Sequence, residues 1–270
     1  MRPKPTGAET VLAVDAGNTH TRFGLFVGEK LRAIRSFPTG AARGAEWGWK
    51  LAASGFLAGS AGKSLAGIAI ASVVPRSTAG LAELARRILN VPVLVIRPGD
   101  RGFVSGLKLS LRHPEQLGAD RLANAAAAFA RYGGPIVAVD FGTATTYDVV
   151  SRRGVFLGGV IAPGAGLIRD ALAEHAARLP RVDLSRPKRA IGQTTLECLR
   201  SGVYYSVIGQ VRMMMQAIVS EHGKGIRTVA TGGLAGRYGR HLPGLIEVRE
   251  SLTLEGIALL YRLNGRRLRR

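Results

Sequence analysis

Short apolar runs that stop on an aspartate, a glycine or a proline alternate along this chain with longer stretches whose apolar positions fall at helical spacing. Residues 11–15 predict a strand ending on Asp15, residues 22–27 its antiparallel neighbour across a glycine-containing turn, and residues 31–37 a third strand. Residues 41–66 are rich in Ala, Gly and Ser and carry only a weak helical pattern around Trp47 and Trp49. Residues 68–74 read as a buried strand stopped by Pro75, 77–89 as a helix and 93–96 as another strand, the alternation of a sheet with helices packed on it. A glycine-containing loop over 97–114 then leads to an alanine-rich helix over 122–131.

The pattern restarts at residue 136. Residues 136–140, 146–150 and 155–161 predict a three-strand meander, which Pro163 and Gly164 end before a helix over 167–178. After a basic loop over 179–188, residues 195–221 predict one long helix or two joined near Gly209. Residues 228–231 form a strand running into Gly232 and Gly233, and 252–263 a last helix. Meander, helix, strand and helix in both halves describe a duplicated α/β chain, with ribonuclease-H-like domains over 11–118 and 119–265. No linker separates the halves, which predicts a shared helical seam.

Composition keeps that class and removes others. Of the 270 residues, 46% are hydrophobic and 36 are glycine, which suits a compact α/β chain with many tight turns and excludes a disordered one. A single cysteine, Cys198, can form neither an intramolecular disulfide nor a structural zinc site, and His20, His113, His175, His222 and His241 show no metal spacing. The N-terminus carries basic residues without an apolar signal core. No window approaches the roughly 20 apolar residues that cross a bilayer, so no membrane partner and a cytoplasmic location are expected. A net charge of +20 raises nucleic acid as a partner, yet the basic residues are dispersed except at Arg266, Arg267, Arg269 and Arg270. The charge reads as solvated faces that attract anionic substrates, with no specific nucleic-acid site expected.

Two spellings carry the chemistry. VLAVDAGNTHT at 11–21 and IVAVDFGTATT at 136–146 share an apolar run, an aspartate, any residue, a glycine and then polar residues. Glycine lets backbone N–H groups approach phosphate oxygens, the hydroxyls and amide add donors, and the carboxylate can hold a cation or its waters. One copy alone reads equally as a capped turn. Two copies, from Asp15 and Asp140, point to phosphate binding, and no G-x-x-x-x-G-K-[ST] motif is present. Gly118-Ala119-Asp120-Arg121 opens a helix, where Asp120 alone would cap amides. Beside two phosphate turns it reads as a general base for an attacking hydroxyl, with Arg121 fixing an anionic acceptor. Thr194-x-x-Glu197 is a capping box, which leaves the hydroxyl of Thr195 for a ligand. Tyr204, Tyr205 and Met213–Met215 read as core or subunit-interface residues on a helix.

These spellings, with ASVVP at 71–75, GGVIAPG at 158–164, GQTTLECLRSG at 192–202, TGG at 231–233 and LTLEG at 252–256, resemble the type III pantothenate kinase family in its own order, over nearly the whole chain. The resemblance implies an acetate-and-sugar-kinase/actin-like fold, a homodimer, and ATP-dependent phosphorylation of pantothenate, the first step toward coenzyme A. It implies that Asp15, Ala16, Gly17, Asn18, Thr19, His20, Thr21 and Arg22 bind ATP together with Thr143, and that Asp120 accepts the proton. It further implies that Gly118, Ala119, Asp120, Arg121 and Thr195 contact pantothenate. Asp140 would bind potassium or ammonium, and magnesium or a similar divalent ion would accompany the nucleotide. Three departures touch the acceptor pocket. No aromatic occurs in 107–112 where many members carry a substrate-contacting tyrosine, Ala176 stands where threonine is usual, and His113 where asparagine is common. A kinase or phosphatase with another acceptor, and a non-catalytic nucleic-acid-binding descendant, are the competing readings. The three aspartates argue against the second.

Overall fold

The computed structural model describes residues 9–39, 46–47, 51, 55–56, 65–175 and 179–268. The expectations for Trp49, for Ala176 and for the last two arginines lie outside those residues. Contacts divide the chain into two units, each discontinuous in sequence. Unit 1 comprises Met1–Arg131, Gly154–Phe156 and Ser251–Arg270, and unit 2 comprises Tyr132–Arg153 and Leu157–Glu250.

Unit 1 holds a five-stranded sheet in the order β3-β2-β1-β4-β5, with β1 (Thr10–Ala16), β2 (His20–Val27), β3 (Lys30–Pro38), β4 (Leu65–Ser72) and β5 (Val93–Val95). The first three strands form an antiparallel meander, and β1, β4 and β5 run parallel. β1 is buried along most of its length, which is why its apolar run does not alternate. Pro75 ends the extended stretch and, with its φ already helical, begins α1 (Pro75–Glu83), which continues as a π-helical turn over Leu84–Ile88. Trp47 is wholly buried in the core of this unit, its ring 5.4 Å from that of Phe23.

Two further helices belong to unit 1. They are α2 (Ala119–Tyr132), which buries Leu122 and an unbroken run of Ala and Asn residues, and the C-terminal helix (Leu252–Leu268). The C-terminal helix packs on β1, β2 and β4, where the Tyr261 hydroxyl donates to the Ala66 carbonyl at 2.8 Å. The Asn264 amide bridges the backbone of Val104 in both directions. Close approach fixes one glycine: a Cβ added at Gly256 would lie 2.0 Å from the Ala123 carbonyl oxygen of α2. β6 (Lys108–Leu109) pairs with Val155 and Phe156.

Unit 2 repeats the plan. Its strands β7 (Ile136–Phe141), β8 (Ala144–Val150), β9 (Val155–Pro163, in this unit from Leu157), β10 (Arg227–Thr231) and β11 (Leu245–Val248) follow the order β11-β10-β7-β8-β9. Substituting β7 for β1, β8 for β2 and so on reproduces the order of unit 1, so the duplication expected from the two aspartate turns is present in the topology. β11 and a short helix, Ala235–Tyr238, were not expected. α3 (Ala165–His175) packs on α4 (Thr195–His222), which runs unbroken through Gly209. The seam Val203, Val207, Val211, Met215 and Ile218 buries one face of α4 and outweighs the roughly 1 kcal/mol cost of the glycine. Thr194 caps α4 through the Glu197 N–H, and the Glu197 carboxylate reaches back to the Gln193 N–H at 2.8 Å, so the expected box closes one residue earlier. Asp170 receives both Arg169 and Arg181, which hold its carboxyl down to about 2.

Candidate active site

Asp15 lies at the end of β1, where the chain turns through Gly17, Asn18 and Thr19 into β2. Three hydrogen bonds shape that turn: Gly17 N–H to the His20 carbonyl at 3.1 Å, Thr39 hydroxyl to the Gly17 carbonyl at 2.6 Å, and Thr39 N–H to the Thr19 carbonyl at 3.0 Å. Thr21 is wholly buried and its hydroxyl shares a hydrogen bond with Thr39 at 3.1 Å, so it braces the turn from inside. Asn18, Thr19 and His20 are exposed, Ala16 is buried, and Arg22 pairs in register with Asp15.

The parallel neighbour brings a second stretch to the same end of the sheet. Ala16 lies opposite Ser72, and the Val73 N–H donates to the Ala16 carbonyl at 3.2 Å. Ser72 and Val73 line a cavity of about 340 Å³ together with Arg97, Asp100, Gly118 and Ala119. The volume falls within the ~300–1,000 Å³ typical of small-ligand sites. Gly118 and Ala119 begin α2, whose first bond runs from the Leu122 N–H to the Gly118 carbonyl at 3.0 Å. In that first turn Asp120, half-buried, accepts the Arg121 N–H on Oδ1 at 2.8 Å. The GADR segment and the first aspartate turn therefore belong to one unit, linked by the strand ends that border the cavity. Sequence reasoning missed Ser72, Val73, Arg97 and Asp100, whose place here depends on the parallel pairing of β1 with β4 and β4 with β5.

In unit 2, Asp140 occupies the end of β7 as Asp15 does that of β1. Gly232 has φ +91°, and a Cβ there would lie 2.3 Å from the Asp140 Oδ1, so only glycine lets the loop after β10 close on this carboxylate. Thr143 is exposed in the turn after β7, and its carbonyl lies against Gly164. Asp140 is opposite Thr146 on β8 and Thr231 on β10. Register partners share a sheet face. The hydroxyls of both threonines are buried without a hydrogen-bond partner among the described residues. A carboxylate flanked by two unsatisfied hydroxyls is an oxygen donor set that fits a hard cation, and such orphaned groups call for an occupant. The signal for Thr146 and Thr231 is the strand register, which the spelling of either segment alone does not carry. Next along β8, Tyr147 is wholly buried and burial pushes its hydroxyl titration up, so the phenol stays neutral. Among the described residues no cluster of three or more His, Cys, Asp and Glu is placed to hold a metal. Thr195 opens α4, exposed, also in unit 2.

The sequence model of the family described as type III pantothenate kinase matches residues 11–217. Two relatives of that name are those of Moorella thermoacetica, 41% identical over 94% of this chain and 99% of its own length, and Thermomicrobium roseum, 43% identical over 93% and 96%. Among solved structures, a ROK hexokinase from Thermus thermophilus aligns with a TM-score of 0.53 at 17% identity, covering 95% of this chain and 99% of its own. At that identity the likeness shows the fold, the duplicated α/β architecture of the sugar kinases, which agrees with the repeated strand order. With a family match across both units and relatives alike over almost their full length, the chain belongs to the type III pantothenate kinase family.

Proposed function

We propose that this protein transfers the γ-phosphoryl group of ATP to the primary hydroxyl of pantothenate, giving phosphopantothenate and ADP in the first step toward coenzyme A. The observation that carries the reading is the common placement, within unit 1, of the Asp15 turn, the cavity beside Ser72 and Val73, and the Asp120 turn of α2. Asp15–Arg22 hold the phosphates of ATP, with Asn18, Thr19 and His20 exposed for the purpose and Thr21 bracing the turn. Thr143 touches the nucleotide. Gly118, Ala119, Arg121 and Thr195 position the acceptor. Its hydroxyl oxygen attacks the γ-phosphorus in line, the bond to the β,γ-bridging oxygen breaks, and the proton passes to the Asp120 carboxylate. The family uses ATP with a divalent cation, which supplies charge neutralisation on the phosphates. The enzyme acts in the cytoplasm.

Asp140 with Thr146 and Thr231 holds a monovalent cation, potassium or ammonium. Thr231→Val removes one cation ligand without changing shape, and in the absence of the cation a buried hydroxyl with no partner among the described residues is replaced by a methyl at little cost. The variant is expected to melt no lower than wild type in potassium-free buffer and to need about tenfold more potassium for half-maximal rate, the size seen when a metal site loses support. A potassium titration of initial rate reads this directly; an unchanged curve removes Thr231 from the site.

The protein works as a homodimer. Its support is a set of large apolar side chains left exposed on unit 2: Ile161 on β9, Leu167 and Leu172 on α3, Leu196, Tyr205 and Met213 on α4. Exposed apolar groups on adjoining elements are the usual mark of an association surface. Light scattering on the purified chain is expected to give twice the 28.6 kDa of one copy, and a mass of one copy at micromolar concentration would contradict the assignment. The catalytic reading itself is tested by supplying pantothenate, ATP, magnesium and potassium and following phosphopantothenate by mass spectrometry. Phosphorylation of a sugar and none of pantothenate would overturn it.

A further inference from the structure

We propose that Arg97 anchors the carboxylate end of the acceptor and thereby selects pantothenate over uncharged analogues; this deepens the functional reading above and rests on it. The cavity beside Ser72 and Val73 is bordered by one cationic side chain, Arg97, and by the carboxylates of Asp100 and Glu115. Glu115 is engaged by His113, 3.3 Å away. Among the described residues neither Arg97 nor Asp100 takes part in an ion pair, and the Arg97 guanidinium carries no hydrogen bond.

The backbone beneath Arg97 is fixed. Ile96 N–H donates to the Ile70 carbonyl at 2.9 Å, Asp100 N–H to the Arg97 carbonyl at 3.3 Å, and Phe103 N–H to the Asp100 carbonyl at 3.1 Å. Gly99, at φ +86°, lets that turn pack on the backbone of Glu115, where an added Cβ would approach the amide nitrogen to 3.0 Å. The guanidinium is thus presented from a held turn at the border of the cavity that Gly118 and Ala119 also line. An acceptor whose hydroxyl lies at Asp120 projects its other end into that cavity. Pantothenate carries a single carboxylate at that far end. A planar guanidinium with no competing partner among the described residues binds it through paired N–H donors.

The test compares two acceptors, pantothenate and pantothenyl alcohol, which replaces the carboxylate end by a hydroxymethyl group and keeps the reacting part. For Arg97→Gln the ratio of kcat/KM between pantothenate and the alcohol is expected to fall at least about tenfold, the scale of losing one hydrogen bond to a charged group. The change should appear in KM for pantothenate, with KM for ATP and the melting temperature unaltered. Arg97→Lys, which keeps the charge but not the fork, should recover part of the ratio. A wild-type enzyme active on pantothenate with an unchanged ratio in Arg97→Gln overturns the assignment of Arg97 alone. Wild-type enzyme inactive on both compounds overturns the functional reading and the assignment with it.

Discussion

Asp120→Asn is expected to lower kcat by about 10²–10⁴-fold, the range of a positioned general base, while KM for ATP and the melting temperature stay at their wild-type values. Asp120 stands in the first turn of α2 and its Oδ1 accepts the Arg121 N–H at 2.8 Å, a bond that the amide oxygen of asparagine can accept equally. What asparagine cannot do is take up the proton of the attacking hydroxyl. Since phosphoryl transfer asks little of the protein beyond positioning and charge, the acceptor proton is the step at which one carboxylate matters most. Steady-state kinetics with thermal melting separates the two roles. Turnover within a few-fold of wild type would leave Asp120 as a helix-capping residue only.

The second large effect is on stability. Gly256→Val is expected to cost about 3 kcal/mol or more, at the upper end of overpacking substitutions. The reason is the 2.0 Å separation between a Cβ at this position and the Ala123 carbonyl oxygen, with the Ala123 α-carbon only 2.9 Å away. The neighbour is helix backbone, not the far end of a flexible side chain, so it can yield only if α2 and the C-terminal helix separate. That separation would uncover Ala123, which is wholly buried beside Gly256. At roughly 2–4 °C per kcal/mol for a chain of this size, a fall of about 6–12 °C in melting temperature follows. A melting temperature unchanged in calorimetry would mean that the two helices do not cross so closely.

How much of this was legible in the sequence depended on burial. β1, β4 and β7 are buried nearly throughout, so their apolar runs announce them. β11, the four residues LIEV, alternates between half-buried and exposed positions at the edge of its sheet, and its pattern is too short to stand out. The break considered near Gly209 does not occur because tertiary packing of one face overrides the local propensity of a glycine. At the site, the aspartate turns were readable because each is contiguous: strand, carboxylate, glycine and hydroxyls follow one another. The pairing of Asp140 with Thr231 was not, because strand register between distant segments sets it. Nor was the cavity, which draws Ser72 from β4, Arg97 from the end of β5 and Gly118 from the start of α2. The fold class was written in local patterns, whereas the acceptor site is written in which strands lie side by side.

A crystal structure with pantothenate and a non-hydrolysable ATP analogue bound together tests the central claim most directly. The account predicts the primary hydroxyl of pantothenate within hydrogen-bonding distance of an Asp120 carboxylate oxygen, its body in the cavity beside Ser72 and Val73, and the phosphates on the turn that follows Asp15. Pantothenate bound away from that cavity, or with its hydroxyl out of reach of Asp120, would contradict it.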